Sequence, residues 1–343
     1  MASSAMSVAA TEELLARCVS SWCADARGVT SAARLSGGAS QETWSFDIVR
    51  PGGNVGAILR RAPPGYGAGS FRAAGLNAEA ELMRAAELAG VPSPHVLHVL
   101  RDEDALGTGF IMARVEGETI PRKILRDEQF AQARPKLARQ VGEILAKIHK
   151  IPSPQLPELR RMTAATEIVD LTKDYHGFEW PRPVFELALR WLIENDPGTS
   201  VKDTLVHGDF RHGNLIIGPD GVRAVLDWEL AHIGDPMEDL GWICVNSWRF
   251  GEIDKPVGGF GSREELFAGY EAAGGDRVDE ARVKYWEVMG TLRWGVMCCG
   301  MMQRFRQGPD HSLERAMIGR RTSETEIDLL RLLAPRRRGH HAG

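Results

Sequence analysis

Ten residues near the middle of the chain, LVHGDFRHGN at positions 205–214, gather two histidines, an aspartate, an arginine and an asparagine. A further acid, Asp227, closes the stretch NLIIGPDGVRAVLDW that follows. Leu215 to Ile217 and Val222 to Leu226, separated by Gly218, Pro219, Asp220 and Gly221, read as a β-hairpin with a four-residue loop. With Ile217 opposite Val222, Asn214 faces Val225, and Asp227 is its diagonal neighbour at roughly 7 Å. Asp209 lies in the polar loop that feeds the hairpin. Two carboxylates and an amide oxygen suit Mg2+, which takes oxygen ligands and relies on one or two protein carboxylates while substrate phosphates complete its shell. Such phosphates need a cradle. The loop Ser36, Gly37, Gly38, Ala39 and Ser40 is the candidate, because backbone N–H groups without side chains in the way can approach an anion closely. A zinc site built from His207, Asp209 and His212 is the competing reading. Against it, the two histidines are five apart in a glycine-containing loop, and His232 is the only further histidine nearby.

The elements that must position these residues change character along the chain. Residues 11–23, with Thr11 as cap and Leu14, Leu15, Cys18, Val19 and Trp22 at helical spacing, predict an amphipathic helix. RLSGGASQETWSFDIV reads as strand, glycine turn and strand, and NVGAILRRAPPG as a third strand ended by Pro63 and Pro64. NAEAELMRAAELAG predicts a helix closed by Gly90; VPSPHVLHVL and GTGFIMARV predict two more strands. Beyond Gly117 helices dominate. RPKLARQVGEILAKIHKI carries Leu137, Val141, Leu145 and Ile148 at steps of three and four, PVFELALRWLIEN is another helix, and most of the chain from 236 is helical apart from GEIDKPVGGFGS. The stretch from LPELRRM to WPRP reads as an irregular connection. The expected organisation is α+β and bilobal: an N-terminal helix (1–30), a small β-rich N-lobe (31–115), a larger mostly helical C-lobe (116–335) and a disordered basic tail (336–343).

At 343 residues the chain exceeds the size at which one core stops growing, which agrees with two lobes. Its formal charge is -4, but from Arg282 onward twelve basic residues face six acidic ones, a balance of +6 that leaves -10 for the rest. Without a reading motif or an overall basic domain, nucleic-acid binding is not expected. Five cysteines form no CxxC pair and no secreted-style framework, the N-terminus has no signal-peptide pattern, and no apolar run reaches the ~18 residues of a membrane span. A reduced, cytoplasmic protein is the expectation.

VHGDFRHGN followed by VLDWE resembles the aminoglycoside phosphotransferase and choline kinase-like family, whose pattern is H-G-D-x-x-x-x-N and then an aspartate ending a hairpin. The closer resemblance is to the kinase-like domains associated with acyl-CoA dehydrogenases, through GDPMEDLGW. It covers roughly residues 31–300, with LSGGAS similar to the family's nucleotide loop and FIMARVEG to its hinge. The resemblance implies a protein-kinase-like fold and an ATP- and Mg2+-dependent enzyme that transfers the γ-phosphate to an alcohol. It implies Asp209 as catalytic base, Asn214 and Asp227 as magnesium ligands, His207 as a brace of the catalytic loop, and Asp239 as the acid that hydrogen-bonds this loop. Asp235, before Pro236, reads as a helix cap. The strand residue that grips the phosphates is a lysine in the family; here Arg60 takes that place, offering a planar fork where lysine offers a point charge. Glu79 resembles its ion-pair partner, with Glu81 on the same helix as the alternative. Met112, Arg114 and Val115 fall where the hinge meets adenine.

The substrate side is rich in Trp248, Arg249, Trp286, Arg293, Trp294, Arg304 and Arg306, unlike the acidic surface a cationic aminoglycoside needs. Together with Arg211 and His212 inside the loop, these residues point to a hydroxylated small molecule that is anionic or acyl, and the resemblance suggests a hydroxyacyl-CoA. The alternatives are an aminoglycoside or macrolide phosphotransferase and, in another class, an ATP-binding kinase-like module without turnover.

Overall fold

Alternation of period two in ETWSFDIV decides how the first part of the chain folds, because it gives one strand two different faces. The computed structural model describes residues 7–35, 41–62, 73–178, 180–199, 202–308 and 311–334. Helix α1 (Val8–Trp22) precedes β1 (Gly28–Leu35), β2 (Glu42–Val49) and β3 (Val55–Ala62); α2 (Leu76–Leu88), β4 (Val96–Val99) and β5 (Thr108–Ala113) follow. The strands form one antiparallel sheet in the order β1-β2-β3-β5-β4. Trp44, Phe46, Ile48, Ala57, Leu59 and Ile111 fill one face and pack against Leu15, Cys18 and Val19 of α1. The other face carries Arg60, opposite Phe110, and packs on α2. The expected cap Thr11 is buried inside α1; Ser7 caps it instead, its hydroxyl accepting from the Ala10 N–H. The glycine loop at 36–40, the Pro63 and Pro64 stop, and the tail from 336 lie outside the described residues.

Helices α3 (Pro121–Arg126) and α4 (Arg134–His149) open the helical part. The supposed irregular connection then contains α5 (Ala164–His176), capped by Thr163 and Thr166, before α6 (Pro183–Glu194). Its apolar positions were few, so its period was hidden: Ile168, Leu171 and Tyr175 are buried among polar neighbours. Short strands β6 (Thr204–Val206) and β9 (His232–Gly234) pair around the hairpin β7 (Leu215–Gly218) and β8 (Gly221–Val225). α7 (Met237–Trp242), α8 (Arg263–Ala272), α9 (Glu280–Gln307), α10 (Leu313–Arg320) and α11 (Thr322–Leu333) complete the chain. The 28 residues of α9 make a rod about 42 Å long at 1.5 Å per residue, against which α7, α10 and α11 pack. Among the described residues no helix is long and apolar enough to cross a membrane.

The hairpin register differs by one residue from the sequence expectation. Gly218 pairs with Gly221, which shortens the loop to Pro219 and Asp220, and the ladder shifts between Ile216 and Ile217 so that Leu215, not Asn214, faces Val225. Arg223 is the extra residue of this bulge, having no partner opposite it in the ladder. Asn214 is thereby paired with Leu226, whose N–H reaches its carbonyl at 2.8 Å, one residue short of Asp227.

Candidate active site

The loop between β6 and β7 is tied down from below by one buried carboxylate. Asp239, on α7, accepts from the His207 N–H at 2.8 Å through Oδ2 and from the Gly208 N–H at 3.0 Å through Oδ1. His149 of α4 meets the same Oδ2 at 3.1 Å and is itself oriented by the Tyr270 hydroxyl. Burial alone would raise the Asp239 carboxyl; the hydrogen bond and charge of His149, with the His207 amide, hold it below its ordinary value. Gly208 is needed here: at φ +80° its side-chain position points at the Leu230 carbonyl, which a Cβ would meet at 2.5 Å. His207 sits above as a neutral group, since burial lowers its pKa. Its Nδ1 accepts from the Asp209 N–H at 3.3 Å, so Nε2 is the nitrogen that donates to the Leu226 carbonyl.

Asp209 is thus presented on a braced loop, and its carboxylate is held on both oxygens. Oδ1 accepts from Trp242 Nε1 and from Arg211 Nε, both at 2.9 Å; Oδ2 accepts from Asn214 Nδ2 at 2.7 Å. The Asn214 amide nitrogen also reaches the Asp209 carbonyl, so its amide oxygen stands apart from these bonds. Asp227 ends the hairpin in the left-handed conformation, φ 65°, which aspartate tolerates better than most residues. Its Oδ1 lies 2.6 Å from Arg60 NH2, and Glu229 Oε2 lies 3.6 Å from the same nitrogen. Arg60 Nε lies 3.1 Å from Glu79 Oε2. Glu81 is exposed, which decides between the two glutamates. Burial, reinforced by Asp227 and Glu229 and opposed by Arg60, pushes the Glu79 carboxyl up to about 7. Strand alternation separates Arg60 from its neighbour: Arg61 points to the opposite face, where it pairs with Glu42.

Met112 is half-buried in the cross-strand row Ser45, Ile58, Met112, on the same face as Arg60. Val115 is half-buried just past β5. Arg114 does not present its side chain to a ligand: the guanidinium bonds Asp47 at 2.8 Å and Ser45 at 3.2 Å, and its amide bonds the Gly56 carbonyl. The candidate phosphate cradle Ser36, Gly37, Gly38, Ala39 and Ser40 lies outside the described residues.

The expected substrate residues are largely engaged within the protein. His212 is 1% exposed and enclosed by Phe250 and Phe260, with both ring nitrogens buried. Trp248 is buried between Trp242 and Trp294. Arg249 is spent on the Cys244 carbonyl and Glu287. Arg293 bonds Glu238 at 2.9 Å, lies over the Trp242 ring at 4.4 Å and approaches the Gly208 carbonyl at 3.4 Å. Arg211 turns back to Asp209 and lies over Trp248. The zinc-type set His207, Asp209 and His212 does not form, because His207 has committed both nitrogens and His212 is walled off. Pro236, not the expected Asp235, takes the cap position of α7; Asp235 accepts from the Met237 N–H and also anchors Arg282 and Trp286 of α9. Sequence reading missed Trp242, His149 and Glu229. Trp242 had a legible signal, since it falls one turn after Asp239 on the same helix.

A sequence profile of the phosphotransferase enzyme family matches residues 31–280. Acyl-CoA dehydrogenase family member 10 of Mus musculus is 32% identical over 199 residues, 55% of this chain and 18% of that protein. Family member 11 of Pongo abelii is 27% identical over 277 residues, 74% of this chain and 34% of that protein. The chain therefore spans between 18% and 34% of the length of these relatives. A crystal structure described as a putative aminoglycoside phosphotransferase from Ralstonia eutropha superposes with a TM-score of 0.68 at 22% identity, covering 93% of this chain and 97% of that one. An aminoglycoside phosphotransferase in ternary complex with ADP and hygromycin B gives 0.63 at 18% identity, covering 95% and 99%. These two likenesses establish a kinase-like fold.

Proposed function

Because the chain belongs to the phosphotransferase enzyme family, we propose that it transfers the γ-phosphate of ATP to the hydroxyl of a small molecule, with Asp209 as catalytic base. The observation that carries this reading is the Asp209 carboxylate, fixed by Trp242, Arg211 and Asn214 beside the Arg60–Asp227 pair. In phosphoryl transfer a protein chiefly positions groups and neutralises charge, and a carboxylate accepts the substrate hydroxyl proton. Asp209 fits that role: held on both oxygens, it cannot swing away from an incoming hydroxyl.

Asn214 and Asp227 would hold Mg2+, and the donor set fits a hard cation, since every donor is oxygen and Glu229 adds a third carboxylate within reach of Arg60. When bound, the metal would neutralise phosphate charge. Arg60 would grip the phosphates, and Glu79 orients it from α2. The half-buried surface of Ile58, Met112 and Val115 suits a flat apolar ring such as adenine. His207 and Asp239 keep the loop in place without exchanging protons with substrate.

For the substrate we read a hydroxyacyl-CoA. That reading rests on relatives named as acyl-CoA dehydrogenases, since the inward pairing of Arg249 and Arg293 removes the charge argument for an anion. The same pairing neutralises Glu238 and Glu287, so these acids offer nothing to a cationic antibiotic. Five unpaired thiols among the described residues support a reducing, cytoplasmic setting. A coupled ADP-release assay over hydroxyacyl-CoAs, aminoglycosides, macrolides, choline-like alcohols and sugars tests the proposal. Magnesium-dependent turnover of a hydroxyacyl-CoA, abolished in Asp209→Ala, is expected. Turnover of antibiotics alone overturns the substrate, and an undiminished rate in Asp209→Ala overturns the mechanism.

A further inference from the structure

On the side of the N-lobe sheet facing away from Arg60, three potential metal ligands meet. Cys18 comes from α1, His98 from β4 and Asp104 from the short turn that follows, and one ligand atom of each lies within 4.8 Å of the other two. All three are buried. His98 Nε2 is 2.8 Å from Asp104 Oδ2, and the Arg101 N–H also donates to that oxygen, fixing the carboxylate. The His98 ring is stacked on Trp22 with centroids 5.6 Å apart. Among the described residues no other group of three such side chains converges in this way.

We propose that Cys18, His98 and Asp104 form a zinc-class divalent metal site that clamps α1 to the edge of the N-lobe sheet. The donor set of one sulfur, one imidazole nitrogen and one carboxylate oxygen suits zinc, which takes all three at about 2.0–2.3 Å in tetrahedral geometry. Ligands on such a tetrahedron stand roughly 3.5 Å apart, so on binding the His98–Asp104 pair at 2.8 Å would open slightly and the Cys18 sulfur, within 4.8 Å of both, would draw in. Three protein ligands leave the fourth corner to a water molecule. A second observation points the same way: Trp22, one turn after Cys18, has a buried indole N–H whose one side-chain acceptor is the Cys18 sulfur. A thiolate at Cys18 is an acceptor for that N–H, and zinc binding creates the thiolate by displacing the thiol proton. The outer-shell partners a bound metal requires are also present, since the Arg101 amide orients the carboxylate and Trp22 the imidazole. The site is independent of the phosphoryl-transfer reading, because it stands on the far face of the sheet and shares no residue with it.

Cobalt titration of the full chain tests the proposal through its thiolate-to-cobalt absorption, a signal that oxygen-only sites such as Asn214 and Asp227 cannot give. One cobalt per chain with that band, displaced by one equivalent of zinc, is expected, together with a rise in Tm on adding zinc. Cys18→Ser should abolish the band and the Tm rise, and His98→Gln should weaken metal binding at least tenfold. Should Cys18→Ser fail to fold, His98→Gln and Asp104→Asn carry the test. No band in the wild-type chain, or a band that survives all of these substitutions, overturns the site and leaves a hydrogen-bonded triad only.

Discussion

Two arginines in this molecule look alike locally and differ in what surrounds them. Arg60 and Arg293 are both largely buried among carboxylates: Glu79, Asp227 and Glu229 for the first, Glu238 and Glu167 for the second. The partners of Arg293 belong to the C-lobe and are buried with it. Arg60 instead reaches from the N-lobe sheet to Asp227 at the end of a C-lobe hairpin, and Asp227 keeps about a quarter of its side-chain surface open. A charge whose partners are sealed around it holds a structure together. One whose partner stays partly open to solvent can exchange it for another anion.

The sharpest way to break this contrast is at the catalytic loop. Asp209→Asn keeps the shape and should lower kcat by about 10²–10⁴-fold, the span of a lost general base, while the urea midpoint stays near wild type; a large stability loss would make the loop structural. Arg293→Met should do the reverse. Taking the arginine from buried Glu238, which then keeps only His232, costs about 3–5 kcal/mol of unfolding free energy, read by denaturant melts, whereas the KM for ATP of the folded fraction should hold. An intermediate case is His212, whose pKa burial lowers to about 4 from an ordinary 6.5. In the window between those values the unfolded chain takes up the proton and the folded chain does not. Stability is therefore complete above pH 6.5 and is lost as pH falls toward 4, by on the order of 3 kcal/mol. His212→Phe should flatten that part of the pH profile relative to wild type, and an unchanged slope would count against it. The smallest effect is expected at Trp242, which belongs to both regions. Trp242→Phe keeps the ring under Arg293 but removes the donor to Asp209, so kcat should fall about tenfold, as for one hydrogen bond to a charged group, with stability little changed.

What could be read beforehand followed from local spacing. The interval from Asp209 to Asn214, the hairpin and the alternation that sends Arg60 and Arg61 to opposite faces are all short-range patterns. The one-residue register shift was not legible, because Ile217 faces Val222 as expected and the shift comes from the bulge at Arg223, which nothing in the apolar pattern of Leu215 to Leu226 marks. α5 hid behind its polar residues. The substrate side was misread for a different reason. Whether Arg249 or Arg293 faces a ligand depends on Glu287 and Glu238, which lie 38 and 55 residues away in sequence, and nothing in the neighbourhood of either arginine announces them. Burial of His212 likewise depends on Phe250 and Phe260 arriving from a separate loop.

The bond from Arg60 to Asp227 also bears on how a bound nucleotide would leave. On the proposed reading, arriving phosphates compete for a guanidinium that the chain already occupies with its own anion, so nucleotide capture is an exchange and not an addition. The same competitor is waiting when ADP is ready to leave, and each step of its departure is compensated by Asp227 recovering the arginine. A built-in rival of this kind lowers affinity for donor and product alike and favours turnover over tight retention. Asp227→Asn would weaken the rival, and its signature, read without magnesium so that the loss of a proposed metal ligand does not enter, would be ADP that dissociates more slowly than from the wild-type chain.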